Sequence, residues 1–541
     1  MKLTLQGITE NREEWLQKGY HLPEFDIRKM VEKTKEAPEW VHFGGGNIFR
    51  AFHANLMQDL LNQGLSETGI IVCEGYDYEI AEKMYRPHDN LSILATLKAS
   101  GSVEKTVIGS IAESCELDSE NDAEFGRMKE IFAKDSLSLA TFTITEKGYS
   151  LTNAMGELLP PVAYDLQNGP KKPQSYIGKV AALLYTRFES GRKKIAMVST
   201  DNCSHNGDKL AAAMHAFAEA WEKAGLAKDG FTAWVDDPEE VSFPWSMIDK
   251  ITPRPAPSVE AMLRADDLDG LDPVVTTKGT HVAPFVNAEE SQYLVIEDKF
   301  PNGRPALEKA GVIFTERETV DKVEKMKVCT CLNPLHTSMA VYGCVLGYDK
   351  MSEEMKDPDI KALVQGVGYV EGLPVVVDPG IIDPKSFIDT VVNVRIPNPF
   401  MPDTPQRIAT DTSQKLAIRF GETIKAYKKR EDLDQTTLRL IPLVFAGWVR
   451  YLLALDDNGE PFQLSDDPLL PEVKPFVEGI KLDGSFTKEA AEEKLHDLLA
   501  NDKIFGVNLY EVGLADKVLD DIVSLCAAPG AVRATLHEAV K

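Results

Sequence analysis

The chain has few cysteines, and they form no recognisable pattern. Seven occur, an odd number with no C-x-x-C pair: Cys73, Cys115, Cys203, Cys329, Cys331, Cys344 and Cys526. That spacing excludes a zinc ribbon and offers no secreted disulfide framework, so reduced thiols are expected. Long apolar runs are missing too. None approaches the roughly 18 residues of a membrane span, and the opening Met1-Lys-Leu-Thr-Leu-Gln-Gly-Ile-Thr-Glu10 lacks the apolar stretch of a signal peptide. A cytoplasmic protein that does not engage membranes is expected. Positive charge is scarce: 59 Lys and Arg stand against 85 Asp and Glu, a net charge of −26. With no basic excess to neutralise phosphates, nucleic acid is not an expected partner. An anionic small molecule would need a local cationic pocket set against that field. Internal repeats and low-complexity tracts are also absent.

What is present is ordinary globular composition, 43% hydrophobic and 27% charged over 541 residues, enough for two to four domains with their own cores. A helical stretch at 27–35 precedes a short strand at 39–43, a run of three glycines, and helical spacing over 47–62. Strand patterns follow at 69–73, 91–97, 107–111, 140–145 and 194–199. Strands alternating with helices to about residue 290 predict an α/β domain with a parallel sheet. Beyond about Arg304 the long amphipathic segments 413–427, 437–455 and 488–501 predict a mainly α-helical second domain. The expected division is residues 1–295 and 296–541.

The glycine run has a chemical reading. Gly44, Gly45 and Gly46, followed by Asn47 and Ile48, lie between a strand and a helix. Such a turn lets backbone approach a pyrophosphate, which then meets the free N–H groups and positive dipole end of the helix. An acidic residue ending the next strand would bond the ribose hydroxyls. Glu74 fits that place, with Asp77 a second candidate. A carboxylate there repels a 2′-phosphate, so NAD is the expected cofactor. Phe49 stands where a full G-x-G-x-x-G has its third glycine.

Six segments, in order, resemble the polyol-specific long-chain dehydrogenases, the mannitol dehydrogenase family. They are Phe43-Gly-Gly-Gly-Asn-Ile-Phe-Arg-Ala-Phe-His53, Thr143-Ile-Thr-Glu-Lys-Gly-Tyr149, Ser199-Thr-Asp-Asn-Cys-Ser-His-Asn-Gly207, Phe243-Pro-Trp-Ser-Met-Ile-Asp-Lys-Ile-Thr-Pro253, Ile296-Glu-Asp-Lys-Phe-Pro-Asn-Gly-Arg-Pro305 and Glu324-Lys-Met-Lys-Val-Cys-Thr-Cys-Leu-Asn-Pro-Leu-His336. The resemblance implies an N-terminal Rossmann-type domain, a helical C-terminal domain and hydride transfer without zinc. It implies Lys327 as general acid/base, Glu324 in proton exchange with solvent, and Asn202 and Asn333 as amides holding the reacting oxygen. His336 would bind substrate, with Asp249 and Arg395 in weaker matches on the substrate side. Within the family it implies a sugar-acid member interconverting D-mannonate and D-fructuronate. Tagaturonate reduction and mannitol 2-oxidation are the alternatives, and an NAD-binding sensor without catalysis is the alternative of another class.

The chemistry is consistent with those residue types. Reducing a ketone places a hydride on carbon and a proton on oxygen, so the developing alkoxide needs fixed donors and a nearby acid. One spacing departs from the family. Six positions separate Lys327 from Asn333 where five are usual. Along a continuous helix, about 100° per residue would swing the lysine away. Pro334 disfavours helix at Asn333 and suits a first turn, so a bulge or break within Cys329-Thr-Cys331 is expected to restore alignment.

Overall fold

The structure is a computed structural model describing Met1–Lys541. It divides into two units, Met1–Lys98 with Ser102–Val320, and Ala99–Gly101 with Asp321–Lys541. The expected division at 295/296 falls inside the strand Tyr293–Glu297, which pairs on both sides, so the first unit continues to Val320.

Six strands form the principal sheet of the first unit: β1 (Trp40–Phe43), β2 (Ile70–Glu74), β3 (Ile111–Glu116), β4 (Leu139–Phe142), β5 (Ile195–Ser199) and β6 (Val241–Ser242). Every pairing is parallel, and the order across the sheet is β3-β2-β1-β4-β5-β6. That is the doubly wound order with its reversal between β1 and β4, where ligands bind beyond the carboxyl ends of strands. Period-two alternation separates the faces. Val41, Phe43, Ile71, Ala140, Phe142 and Met197 pack into one core with α2 (Asp122–Phe132), α3 (Tyr176–Glu189) and α4 (Asn206–Lys223). Trp40, Ile70, Val72, Leu139 and Val198 pack into the other with Phe49, Phe52 and α1 (Ala54–Asn62).

Besides the antiparallel hairpin of Val274–Val275 and His281–Val282, two smaller sheets depart from the all-parallel expectation. One orders Tyr20–His21, Val103–Ile108, Ser92–Leu97 and Phe285–Glu289, with an antiparallel central pair. The other holds Ser246–Asp249 against Tyr293–Glu297, antiparallel, and then Ile313–Thr315. The strand expected at 107–111 is the junction of two: Gly109 and Ser110 separate Val103–Ile108 from β3, and the chain changes sheet there.

The second unit is helical, as expected. Its centre is α6 (Asn333–Leu346), preceded by α5 (Arg317–Met326), which crosses from the first unit, and packed on α7 (Leu440–Tyr451), itself against α8 (Ala515–Leu525). Close approach of α6 and α7 depends on Gly447, where a Cβ would lie 2.7 Å from the Tyr342 ring. Tyr342 then donates to the Leu443 carbonyl at 2.8 Å. The segment 413–427 is not one helix but a short 3₁₀ turn, a π turn and the helix Glu422–Lys429.

Candidate active site

The glycine turn leaves β1 at the switch point. Gly44 takes φ +106°, and a Cβ there would sit 2.3 Å from the Thr143 carbonyl oxygen, so only glycine fits. Gly45 is held at both peptide groups: its N–H donates to Glu74 Oε2 at 2.7 Å, and its carbonyl accepts from Tyr85 Oη at 2.7 Å. At Gly46 a Cβ would meet nothing within 4 Å, so this is the open side of the turn. Helix begins at Asn47, passes through a π turn at Phe49–His53 and continues as α1. Asn47 bonds to the Pro253 carbonyl through Nδ2 and accepts from Arg50 through Oδ1. Ile48 packs against the adjoining core.

Under the turn lies a positive charge. The Arg50 guanidinium is buried and bonds to neutral acceptors, the Ala283 carbonyl at 2.6 Å, Ser92 Oγ and Asn47 Oδ1. A buried cation bonded to neutral acceptors, a backbone open at Gly46 and a helix start together fit a pyrophosphate. Beneath it, His42 bridges Thr141 and Thr143, stacks on Phe49, and lies beside His53, which bonds Thr200 at 2.9 Å. Burial holds the pKa of His42 well below its ordinary value and that of His53 at about 3.

Glu74 ends β2 where the sequence places it, but its carboxylate turns inward. Besides Gly45, it accepts from the backbone N–H groups of Tyr76 at 2.8 Å and Asp77 at 3.1 Å. Burial raises its pKa against those three bonds. It braces the glycine turn, a job the sequence does not reveal. Asp77 is buried and accepts from Thr276 Oγ1 at 2.6 Å, on the hairpin of Val274–Val275 and His281–Val282.

Asn202 lies in the turn between β5 and α4, exposed, directly after Asp201. Asp249 ends the strand Ser246–Asp249 and is buried. In the second unit Glu324, Lys327, Asn333 and His336 follow one another along one stretch of chain. Glu324 is half-buried on α5; Lys327 follows, 3% exposed, at the start of a π turn over Lys327–Cys331. Leu332 N–H donates to the Lys327 carbonyl, an i to i+5 bond, and Leu332 then leaves helical geometry at φ −131°. Asn333 opens α6 with Pro334 in its first turn, and His336 lies three residues on, half-buried, on the same face. A π turn holds one more residue than an α turn. The six-residue spacing therefore has its structural counterpart between the lysine and the asparagine. Arg395 is buried at the end of a separate π turn, Val391–Arg395.

Several residues of this neighbourhood were invisible as single positions. Tyr85 and Arg50 act on the glycine turn, Asp201 and Tyr149 on the loop before Asn202, and Arg419 bonds Thr337 on α6. Arg50, Tyr149 and Asp201 lie in the motif segments, which is the only signal the sequence carried for them, and Tyr85 and Arg419 had none.

Comparison with known proteins agrees with this architecture. The Mannitol dehydrogenase Rossmann domain model matches residues 38–309, and the Mannitol dehydrogenase C-terminal domain model matches 319–526. A protein of Thermotoga maritima named D-mannonate oxidoreductase is 51% identical over 542 aligned residues, covering 100% of this chain and 99% of its own. Pseudomonas fluorescens mannitol 2-dehydrogenase, solved as a ternary complex with NAD and D-mannitol, is 26% identical with a TM-score of 0.67, covering 99% of both chains. A D-sorbitol dehydrogenase solved in substrate-free form, at 24% identity and a TM-score of 0.73 over 92% of this chain and 97% of its own, shares the fold.

Proposed function

This chain belongs to the mannitol dehydrogenase family, and from that premise we propose that it is an NAD-dependent oxidoreductase interconverting D-mannonate and D-fructuronate. The observation that carries the substrate is the 51% identity with the D-mannonate oxidoreductase along the whole chain. Gly46 and the helix start at Asn47 and Ile48 face the dinucleotide's pyrophosphate, Gly44 and Gly45 shape the turn that presents them, and Asp77 is on the ribose side, Glu74 being spent on bracing the turn. When bound, NAD supplies the hydride chemistry at the secondary alcohol carbon.

The protein's own part is oxygen and proton management. Amide N–H groups of Asn202 and Asn333 donate to the substrate oxygen, stabilising alkoxide character without adding net charge. Lys327 gives that oxygen its proton in reduction and removes it in oxidation. Glu324 passes the proton between Lys327 and solvent. His336 and Asp249 hold hydroxyl groups, and Arg395 grips the carboxylate through paired N–H donors. A buried lysine in the motif that also carries Asn333 disfavours the NAD-binding sensor, which has no use for an acid/base group. Incubation with D-fructuronate and NADH should give D-mannonate, identified by NMR. No conversion, or a product epimeric at the new alcohol, would contradict the reading.

A further inference from the structure

The turn that carries Asn202, between β5 and α4, has no regular secondary structure of its own. Its geometry is imposed by the residue before it. Asp201 Oδ2 accepts from the Ile144 N–H at 2.9 Å and Tyr149 Oη at 2.6 Å, and Oδ1 accepts from the Thr145 N–H at 2.9 Å. The Asp201 carbonyl accepts from Asn206 Nδ2 at 3.0 Å, and Asn206, itself buried, is locked to Ser246. Tyr149 also meets Ser199 Oγ at 2.8 Å; a phenol has one proton, so with Asp201 taking it the serine hydroxyl is the donor there. Asp201 thus clips the loop after β4 to the loop after β5, on the carboxyl ends of the strands beside the glycine turn.

A second observation shows how tightly that clip acts. Thr145 adopts φ +66° and ψ 158°, a region that is essentially glycine's own. Thr145 alone is β-branched among the non-glycine residues at positive φ. A β-branched residue stays there only when its surroundings over-determine it, and the two adjacent N–H groups fixed by Asp201 do so.

We infer that Asp201, oriented by Tyr149, is a positioning residue for the reaction: it sets the place of the Asn202 amide against the strained Thr145 loop. The inference rests on the proposed role of Asn202. Asp201→Asn replaces one acceptor oxygen with an N–H group facing a backbone donor, so the clip opens while the side-chain volume is kept. Turnover should fall roughly 10²-fold, the scale of an ångström-sized misplacement, with NADH affinity by fluorescence titration near that of the wild type. Asn202→Ala should lose about 10²–10³-fold, and the double variant should lose no more than Asn202→Ala alone, because Asp201 acts through Asn202. Losses that multiply in the double variant, or wild-type turnover in Asp201→Asn, would overturn the positioning role. Wild-type turnover in Asn202→Ala would instead sink the proposed mechanism, so the two failures are distinguishable. Should Asp201→Asn fold poorly, Tyr149→Phe removes a single bond. It should show a smaller loss in kcat with the same dependence on Asn202, and unchanged kcat there would overturn the inference.

Discussion

At the scale of single residues the account turns on two buried cations, Lys327 and Arg395, in a chain of net charge −26. Burying a lysine is costly unless chemistry or a partner requires it, and this one sits at the entry to the wide turn leading to Asn333. Lys327→Ala should lower turnover by about 10²–10⁴-fold, as for other general acid–base groups, while NADH binding by fluorescence stays close to normal. Retained turnover would move the role to Lys325, a half-turn away and paired with Asp321 at the surface. Arg395→Gln separates carboxylate recognition from hydroxyl recognition. It should reduce kcat/KM for fructuronate far more than for fructose, and an equal loss for both would mean that Arg395 holds hydroxyls. Lys327 stands out in the sequence because the Glu324–His336 motif is contiguous, whereas Arg395 lies outside it in Arg395-Ile-Pro-Asn-Pro399. The bracing of Glu74 was not legible, since its partner Gly45 comes from the preceding strand–helix turn and meets it only through the packing of β1 on β2.

At the scale of elements, the glycine turn makes separable predictions. Gly44→Ala should destabilise the protein by about 1–3 kcal/mol, because it combines a positive φ with a clash against Thr143. Gly46→Ala should change stability by about 0.5 kcal/mol or less yet weaken NADH, since its methyl enters open space facing the proposed pyrophosphate. Thermal melts and NADH titrations check both, and normal NADH affinity in Gly46→Ala would displace the cofactor from this turn. The buried histidines beneath predict an acid limb. His53, held neutral with a pKa of about 3, binds fewer protons folded than unfolded. Its contribution is complete above the unfolded value near 6.5 and declines as pH falls from there towards 3, by about 1.4 kcal/mol per pH unit. His53→Gln should flatten the fall in Tm between pH 6.5 and 4, and an unchanged slope would contradict the assignment. Strand–turn–helix order was readable here from local periodicity. The pairings of the smaller sheets were not: Ser92–Leu97 and Phe285–Glu289 pair in parallel across nearly 200 residues of chain, for example Ile93 with Phe285. The π turn lay between these cases, announced by one extra residue of spacing but given its form only by the i to i+5 bond at Leu332.

At the scale of the whole molecule, this member of the mannitol dehydrogenase family combines a doubly wound Rossmann-type unit with a helical unit that contains Lys327. The fold class was legible from alternation of strands and helices, whereas the end of the first unit at Val320 was not, because Tyr293–Glu297 and Ile313–Thr315 continue it with a small sheet that no helix announces. No helix is long and apolar enough to cross a membrane. The substrate is a keto sugar acid reduced with NADH. The most direct test follows NADH absorbance in parallel with D-fructuronate, D-tagaturonate, fructose and fructose 6-phosphate, repeated with NADPH for the favoured compound. D-fructuronate should give the highest kcat/KM, and NADH should outperform NADPH. A higher kcat/KM for fructose than for fructuronate, or no turnover with any of the four, would contradict the account.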